Sequence, residues 1–394
     1  MKVDPQHFLG RAGIKRLLKA LDAKAGTARF VGGAVRDLLL DVPHDDLDLA
    51  TTHAPIDVIR RLEAAGIKAV PTGIEHGTIT AVSSGTVVEV TTLRSDVSTD
   101  GRRATVAFTD DWRQDAARRD FTINALYADP FSGELSDYFG GLGDLKSRTV
   151  RFIGEPLQRI AEDHLRILRY FRFHARYGHG EPDAQALEAC TARANDLMAL
   201  SRERIADELL KLLALDDPTA TVRLMQQRGI FVPVLPEIES QSVDRLGALV
   251  AAERAAAIDP DPVRRLAALL PADPPLAERV AGRLKLSNKA KKRLSSAVDR
   301  SLGPGPRPLA YRLGKDGAVD RLLLAGHPAE AAEIAGWTPP RLPISGGQLI
   351  ARGITEGPEV ARTLRRIEDA WEAAGFPTGE TLERLIKQAL PQDR

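Results

Sequence analysis

The sequence predicts an α+β protein, from three observations: short β-branched runs punctuated by glycine and serine up to about residue 150, helical periodicity from there onward, and long stretches rich in Ala, Leu and Arg. Apolar residues make up 43% of the chain, enough for buried cores, and aromatics only 5%, so those cores must be built mainly from Leu, Ala, Val and Ile. At 394 residues the chain is longer than one core normally serves. We therefore divide it into a strand-and-helix part over residues 1–150, a helical part over 151–240 and further helical bundles over 241–394.

Residues 1–27 read as a helical lead-in, with Ile14, Leu17, Leu18 and Leu21 at helical spacing. The run Ala28-Arg29-Phe30-Val31 predicts a strand, and Gly32-Gly33 a turn whose backbone N–H groups can approach a phosphate closely. A helix starting near Ala34 points its positive end at that anion, with Arg36 in its first turn to grip phosphate oxygens. Residues 46–50, Asp-Leu-Asp-Leu-Ala, predict a second strand, in which period-two alternation puts Asp46 and Asp48 on one face and Leu47 and Leu49 on the other. Two hard oxygen ligands on one face of a strand suit Mg²⁺. A glycine pair alone is usually a turn and an Asp-x-Asp alone a solvated strand edge. Their order here describes a site for a metal-bound nucleoside triphosphate.

A helix is expected over residues 55–65, then strands over 77–82 and 86–93 separated by Ser-Ser-Gly. Glu89 alternates with Val88 and Val90, which makes it a candidate third acidic group of a two-metal site. In such a site one metal activates the attacking hydroxyl and the other holds the triphosphate. Residues 94–107 are polar and poor in apolar anchors, so a mobile loop beside the site is expected. In residues 115–125, DAARRDFTINA, the arginine pair Arg118-Arg119 can neutralise triphosphate charge or approach the ribose, Asp120 and Asn124 can orient it, and Phe121 and Ile123 belong in the core.

Pro156 is placed to open a helix, and residues 155–173, EPLQRIAEDHLRILRYFRF, read as one amphipathic helix. Arg159, Glu162, Asp163, Arg166 and Arg169 fall on one side of it, with Ile160, Ile167, Leu168 and Phe171 opposite. As surface ion pairs these would contribute little. As a recognition surface, the acceptor Asp163 beside the donor Arg166 matches the amino-donor and ring-acceptor edges of cytosine and adenine. Uracil and guanine would leave unsatisfied groups, at on the order of 1–3 kcal/mol each.

The strand, Gly-Gly, Arg-bearing helix and Asp-x-Asp order, the RRDFTINA motif and the EDxxRxxRxxRF pattern together closely resemble the class II tRNA nucleotidyltransferases and bacterial poly(A) polymerases, members of the DNA polymerase β-like nucleotidyltransferase superfamily. The resemblance spans residues of about 28–240 and continues weakly to the C-terminus. It implies a nucleotidyltransferase head with a mixed sheet, a helical neck carrying a nucleotide-selecting helix, and a helical body and tail that bind tRNA. It also implies catalytic Asp46, Asp48 and Glu89, with Asp46 and Asp48 as Mg²⁺ ligands. Nucleotide contacts are implied for Gly32, Gly33, Arg36, Arg119, Asp163, Arg166, Arg169 and Arg172. Residues 201–208, SRERIADE, resemble a capped helix that supports the selecting helix. Gly346-Gly347 and Gly357-Pro358 read as paired turns that, with nearby arginines, could hold the tRNA acceptor and TΨC arms.

The implied activity is CCA addition: template-independent transfer of CMP and AMP from CTP and ATP to the tRNA 3′ end, with release of pyrophosphate. Rival readings are a poly(A) polymerase, which would be expected to end in a strongly basic extension that residues 387–394 do not supply, and an A-adding tRNA nucleotidyltransferase. A CC-adding enzyme is disfavoured by the full length of the 94–107 segment. A noncatalytic RNA-binding protein is the remote alternative. The net charge of +1 hides local basic clusters, notably KLSNKAKKR at 285–293. One cysteine, no apolar stretch of membrane-spanning length and a start without an apolar signal core make the cytoplasm the expected compartment. The oligomeric state is left open.

Overall fold

The computed structural model describes residues 1–43, 46–100, 103–354 and 357–390. Residues 44–45 of the opening stretch, 101–102 of the polar segment and 391–394 of the end lie outside it. The chain divides into two compact units, one of residues 1–209 with 227–234 and the other of residues 210–226 with 235–394. The first unit therefore runs on past residue 150 and includes the helices that carry Asp163 and Arg166.

The first unit opens with the expected lead-in, helices α1 (Gln6–Leu9) and α2 (Ile14–Ala20). Its sheet is built from β1 (Ala28–Val31), β2 (Asp48–Thr51), β3 (Lys68–Gly73), β4 (Thr78–Ser83), β5 (Thr86–Thr92), β8 (Leu126–Ala128) and β9 (Leu135–Asp137), in the order β3-β4-β5-β2-β1-β8-β9. β2 and β5 run parallel and the other neighbours antiparallel, so the sheet is mixed. Alternation sorts each strand between two faces. On one face Phe30 stacks on Phe8 at 4.0 Å between ring centroids, and Ile14, Leu17, Leu18 and Leu21 are buried. On the other, Val31, Ala50, Leu93, Ala116, Ala125, Tyr127 and Ile153 form one cluster. Each fully buried aliphatic side chain contributes about 1.5–3 kcal/mol relative to exposure.

Helices α3 (Gly33–Leu39), α4 (Pro55–Ala64), α5 (Trp112–Ala117) and α6 (Gly141–Ser147) connect the strands. α5 starts where Asp111 accepts hydrogen bonds from the backbone of Arg113 and Gln114 at 2.8 and 3.4 Å. The segment expected to be a mobile loop is instead a β-hairpin of β6 (Arg94–Asp100) and β7 (Arg103–Phe108). Its backbone pairing runs from Arg94 opposite Phe108 to Asp100 opposite Arg103, with one register shift between Asp96 and Ser98.

The helix expected over 155–173 is two helices, α7 (Pro156–Glu162) and α8 (Arg166–Tyr177), followed by α9 (Ala184–Ala192) and α10 (Arg202–Leu213). Asp163 ends α7 in an extended conformation, φ −153° and ψ 106°. Its side chain then accepts the backbone N–H of Leu165 at 3.1 Å, as short Asp side chains do when they compete with helix continuation.

The rest of the described chain is helical, from Thr219–Gln227 to Gly379–Ala389. Prolines open helices of this part at Pro262, Pro274 and Pro306. In the second unit Glu253 accepts from Arg264 and Arg265 at 2.8 Å each. Arg293, from the basic 285–293 cluster, turns inward to Asp261 at 2.8 Å and Asp320 at 2.7 Å. The predicted turns at Gly346-Gly347 and Gly357-Pro358 are helix starts, the first with a capping box between Ser345 and Gln348.

Candidate active site

The end of β1 and the start of α3 meet at Gly32, whose φ of 67° and ψ of −124° exclude side chains. A Cβ there would also lie 3.3 Å from Nη1 of Arg119. The sequence thus uses glycine both for the backbone path and for the approach of an arginine to the mouth of α3. The N–H groups of the first turn of α3 have no acceptor within the helix and form the opening of the site.

Asp48 begins β2 and stands opposite Glu89 of β5 in the parallel ladder. The strand starts two residues later than expected, so Asp46 precedes it, although the N–H of Glu89 still donates to the carbonyl of Leu47 at 3.0 Å. The predicted alternation holds: Leu47, Leu49, Val88 and Val90 are buried, while Asp46 and Glu89 are exposed and Asp48 half-buried. Burial first, then the charges of Glu89 and Asp46, push the Asp48 carboxyl up to about 6, against the lowering influence of Arg119 and Arg36. A carboxylate under this repulsion is a fit partner for a divalent cation, and Asp46 and Asp48 are the pair that would hold one. Among the described residues no group of three or more His, Cys, Asp and Glu is close enough to share a metal. Mg²⁺ commonly accepts two carboxylates, with substrate oxygens completing its shell.

Arg119 lies behind the carboxylates. Its Nη2 reaches Asp115 at 3.1 Å and its Nε the Tyr127 hydroxyl at 3.3 Å, while Tyr127 donates to Asp115 at 2.7 Å. Burial would raise the Asp115 carboxyl, but Arg119 and Arg118 outweigh it and hold it at about 2. Asp115, three and four residues before the two arginines, was legible as their partner from helical spacing alone and was not assigned that role.

Arg36 departs from expectation. It is 6% exposed, and its three nitrogens donate to Asp37 at 2.8 Å, to Asn124, and to the Tyr177 hydroxyl at 2.6 Å. With these three donors committed it braces α3 against the Thr122–Asn124 turn and the end of α8.

Asp163 and Arg166 flank the break between α7 and α8, and each is oriented by other residues. Asp163 accepts from Arg204 of α10 at 2.8 Å. Arg166 donates to Glu162 at 2.6 Å and to the carbonyl of Arg159 at 2.9 Å. Arg159, whose role was not foreseen, donates to the carbonyls of Arg118 and Arg119 at 2.5 and 2.7 Å and so ties α7 to the arginine pair. The two halves of the predicted site thus meet at Arg119, whose side chain lies at Gly32 and whose carbonyl is held from α7.

Arg169 and Arg172 also depart from expectation. Arg169 pairs with Asp120 at 2.6 Å, and Arg172 pairs with Glu208 of α10 at 2.6 Å. Glu208 is 3% exposed and also lies 3.6 Å from Arg169. These arginines fasten α8 to its neighbours, because a buried carboxylate requires a cation. Asp120 likewise accepts from Arg169 and Asn124, at 2.6 and 2.9 Å. The 201–208 block supports this helix as expected, and Phe121 and Ile123 are buried in the core as expected.

Residues 28–151 match the family described as poly A polymerase head domain, and residues 181–242 the one described as probable RNA and SrmB-binding site of polymerase A. The chain is 35% identical to the mitochondrial CCA tRNA nucleotidyltransferase 1 of Mus musculus, over 95% of this chain and 90% of that protein. It is 33% identical to the CCA-adding enzyme of Lacticaseibacillus paracasei, over 96% of both. Among solved structures, the CCA-adding enzyme of Bacillus stearothermophilus in complex with CTP aligns with a TM-score of 0.75 at 26% identity, over 96% of this chain and 98% of that one.

Proposed function

The chain belongs to the tRNA nucleotidyltransferase and poly(A) polymerase family, and from that premise we propose that it is a CCA-adding enzyme, transferring CMP and then AMP from CTP and ATP to the 3′ end of tRNA. The tRNA 3′-hydroxyl attacks the α-phosphorus in line and pyrophosphate leaves. The observation that supports this reading best is the joining of two groups of residues through Arg119: the carboxylates with the glycine turn, and the Asp163/Arg166 pair. One group suits phosphate chemistry and the other base selection.

In this reading the N–H groups of the first turn of α3, from Gly33 onward, donate to triphosphate oxygens, that of Gly32 being held by the carbonyl of Leu126 at 3.1 Å, and Arg119 balances the phosphate charge from behind the turn. Asp46 and Asp48 would hold Mg²⁺, with Glu89 adding negative charge beside them. When bound, the metal supplies charge neutralisation at the reacting phosphate and acidifies the attacking hydroxyl. Asp163 accepts the exocyclic amino group of cytosine or adenine and Arg166 donates to the neighbouring ring acceptor, Arg204 and Glu162 keeping the two side chains in place. Arg169 and Arg172 act as braces for this pair rather than as direct contacts. For the tRNA arms we assign the second unit, on the support of Arg362 and Arg365, which are exposed on the helix Gly357–Ala373 and form no ion pair with a described residue. No helix of the described residues is long and apolar enough to cross a membrane, and the single cysteine, Cys190, is buried and free, which fits the cytoplasm.

The test supplies tRNAs ending before CCA, after C and after CC with each nucleotide separately, and sizes the products. Addition of two C residues and one A, lost in Asp46→Ala, is expected. Growth beyond three nucleotides would make the enzyme a poly(A) polymerase, refusal of CTP an A-adding enzyme, and equal signal in Asp46→Ala no enzyme of this kind.

A further inference from the structure

The face of the seven-stranded sheet turned away from Asp48 carries a cavity of 490 Å³ beside α2. Asp48 shares its face with Ala50 and the Val31 cluster, whereas α1 packs on the opposite face through Phe8 and Phe30. Buried Leu18 and Ala23, with Leu9, form the aliphatic part of the cavity. Phe131, in the β8–β9 connection, supplies an aromatic wall that is 38% exposed, in a chain with few aromatics.

The remaining lining is strongly basic. Lys15 and Lys19 lie one turn apart on α2, a like-charge spacing that disfavours a helix, and Lys24 stands 5.9 Å from the centroid of the Phe131 ring. All three lysines are exposed, and none forms an ion pair with a described residue. Asp22 is the one acidic residue of the lining.

We propose that this cavity binds an unpaired nucleobase with its phosphate, the base against Phe131 and the aliphatic surface and the phosphate among Lys15, Lys19 and Lys24. Flat aromatic bases stack on exposed aromatic side chains, and lysine ammonium groups serve phosphate as point charges. The volume is that of a small-ligand site. An acidic peptide would satisfy the lysines but give the aromatic wall no flat partner. The base and phosphate can come from a free nucleotide or from single-stranded RNA. Because the cavity opens on the face away from Asp48, the proposal does not depend on the activity assigned above.

Hydrogen exchange on the full-length protein tests it, with AMP and a short 5′-phosphorylated oligoadenylate as separate probes. Amides of residues 9–24 and 129–134 are expected to exchange at least about five-fold more slowly with the occupying probe. Protection by AMP identifies a free-nucleotide site, and protection by the oligonucleotide alone identifies an RNA contact. Lys15→Glu/Lys19→Glu and, separately, Phe131→Ala are expected to weaken the protecting interaction about ten-fold with circular dichroism unchanged. Absence of protection by both probes, protection that survives both variants, or equal protection by polyglutamate overturns the proposal.

Discussion

Asp48 and Glu89 stand opposite each other in the only parallel ladder of the described sheet, two carboxylates on one side with buried aliphatic neighbours behind them. Asp48 is held at about 6 against an ordinary 3.8, so its ionised form destabilises the fold progressively as pH rises from about 4 to about 6, and fully above that. We expect Asp48→Asn, in EDTA, to stabilise the protein at pH 8 by up to about 3 kcal/mol and to leave it nearly unchanged at pH 4. Nucleotide transfer should fall at least about a thousand-fold. Urea unfolding at the two pH values and primer extension check both halves.

Magnesium should act on the same group. Because protons compete with the cation at Asp48, the rise in Tm on adding Mg²⁺ is expected to be larger at pH 8 than at pH 5, and to vanish in Asp46→Ala/Asp48→Ala. An equal rise at both pH values in the wild type would remove these aspartates from the metal site.

Arg36 is expected to behave as a structural residue. Arg36→Ala leaves Asp37, Asn124 and Tyr177 without their donor in a buried setting and should cost about 3–5 kcal/mol of stability. Tyr177→Phe removes one acceptor and should cost about 1 kcal/mol with little change in KM for nucleotide. A large KM effect in Tyr177→Phe would return Arg36 to direct phosphate contact.

Base selection should depend on Arg204, which touches Asp163 and lies outside the EDxxR pattern. Arg204→Ala is expected to lower discrimination of CTP and ATP over UTP and GTP by about 10-fold, one misdirected hydrogen bond, with Tm almost unchanged. Competition assays with mixed nucleotides measure it.

Glu208 should matter for stability more than for chemistry. Its carboxylate is buried against Arg172 and Arg169, so Glu208→Ala is expected to cost about 3–5 kcal/mol, while Glu208→Gln, which keeps the shape and one hydrogen bond, costs less. Chemical denaturation of the two variants ranks them.

The strands around the carboxylates were legible because alternation is local: each of Leu47, Asp48, Leu49, Val88, Glu89 and Val90 lies on the face its neighbours predict. The strands β3, β8 and β9 were not foreseen, since short edge segments such as Leu135–Asp137 lack a run long enough to show a period. The hairpin of β6 and β7 was hidden by its polarity, and the break at Asp163 by an apolar stripe that continues across it. There a side-chain hydrogen bond to the backbone overrides periodicity.

The sequence by itself determined the chemistry that is present: two aspartates at strand spacing, a glycine pair whose first position only glycine can occupy, and an acid and arginines in a helical frame. Only the tertiary structure decided which arginines remain free to meet a substrate. Tyr177 lies 141 residues from Arg36, Asn124 lies 88 residues from it, and Glu208 lies 36 residues from Arg172. A guanidinium has a fixed set of donors, and a buried acceptor that reaches them takes them out of play. That competition is settled by packing between distant segments, which no local pattern records.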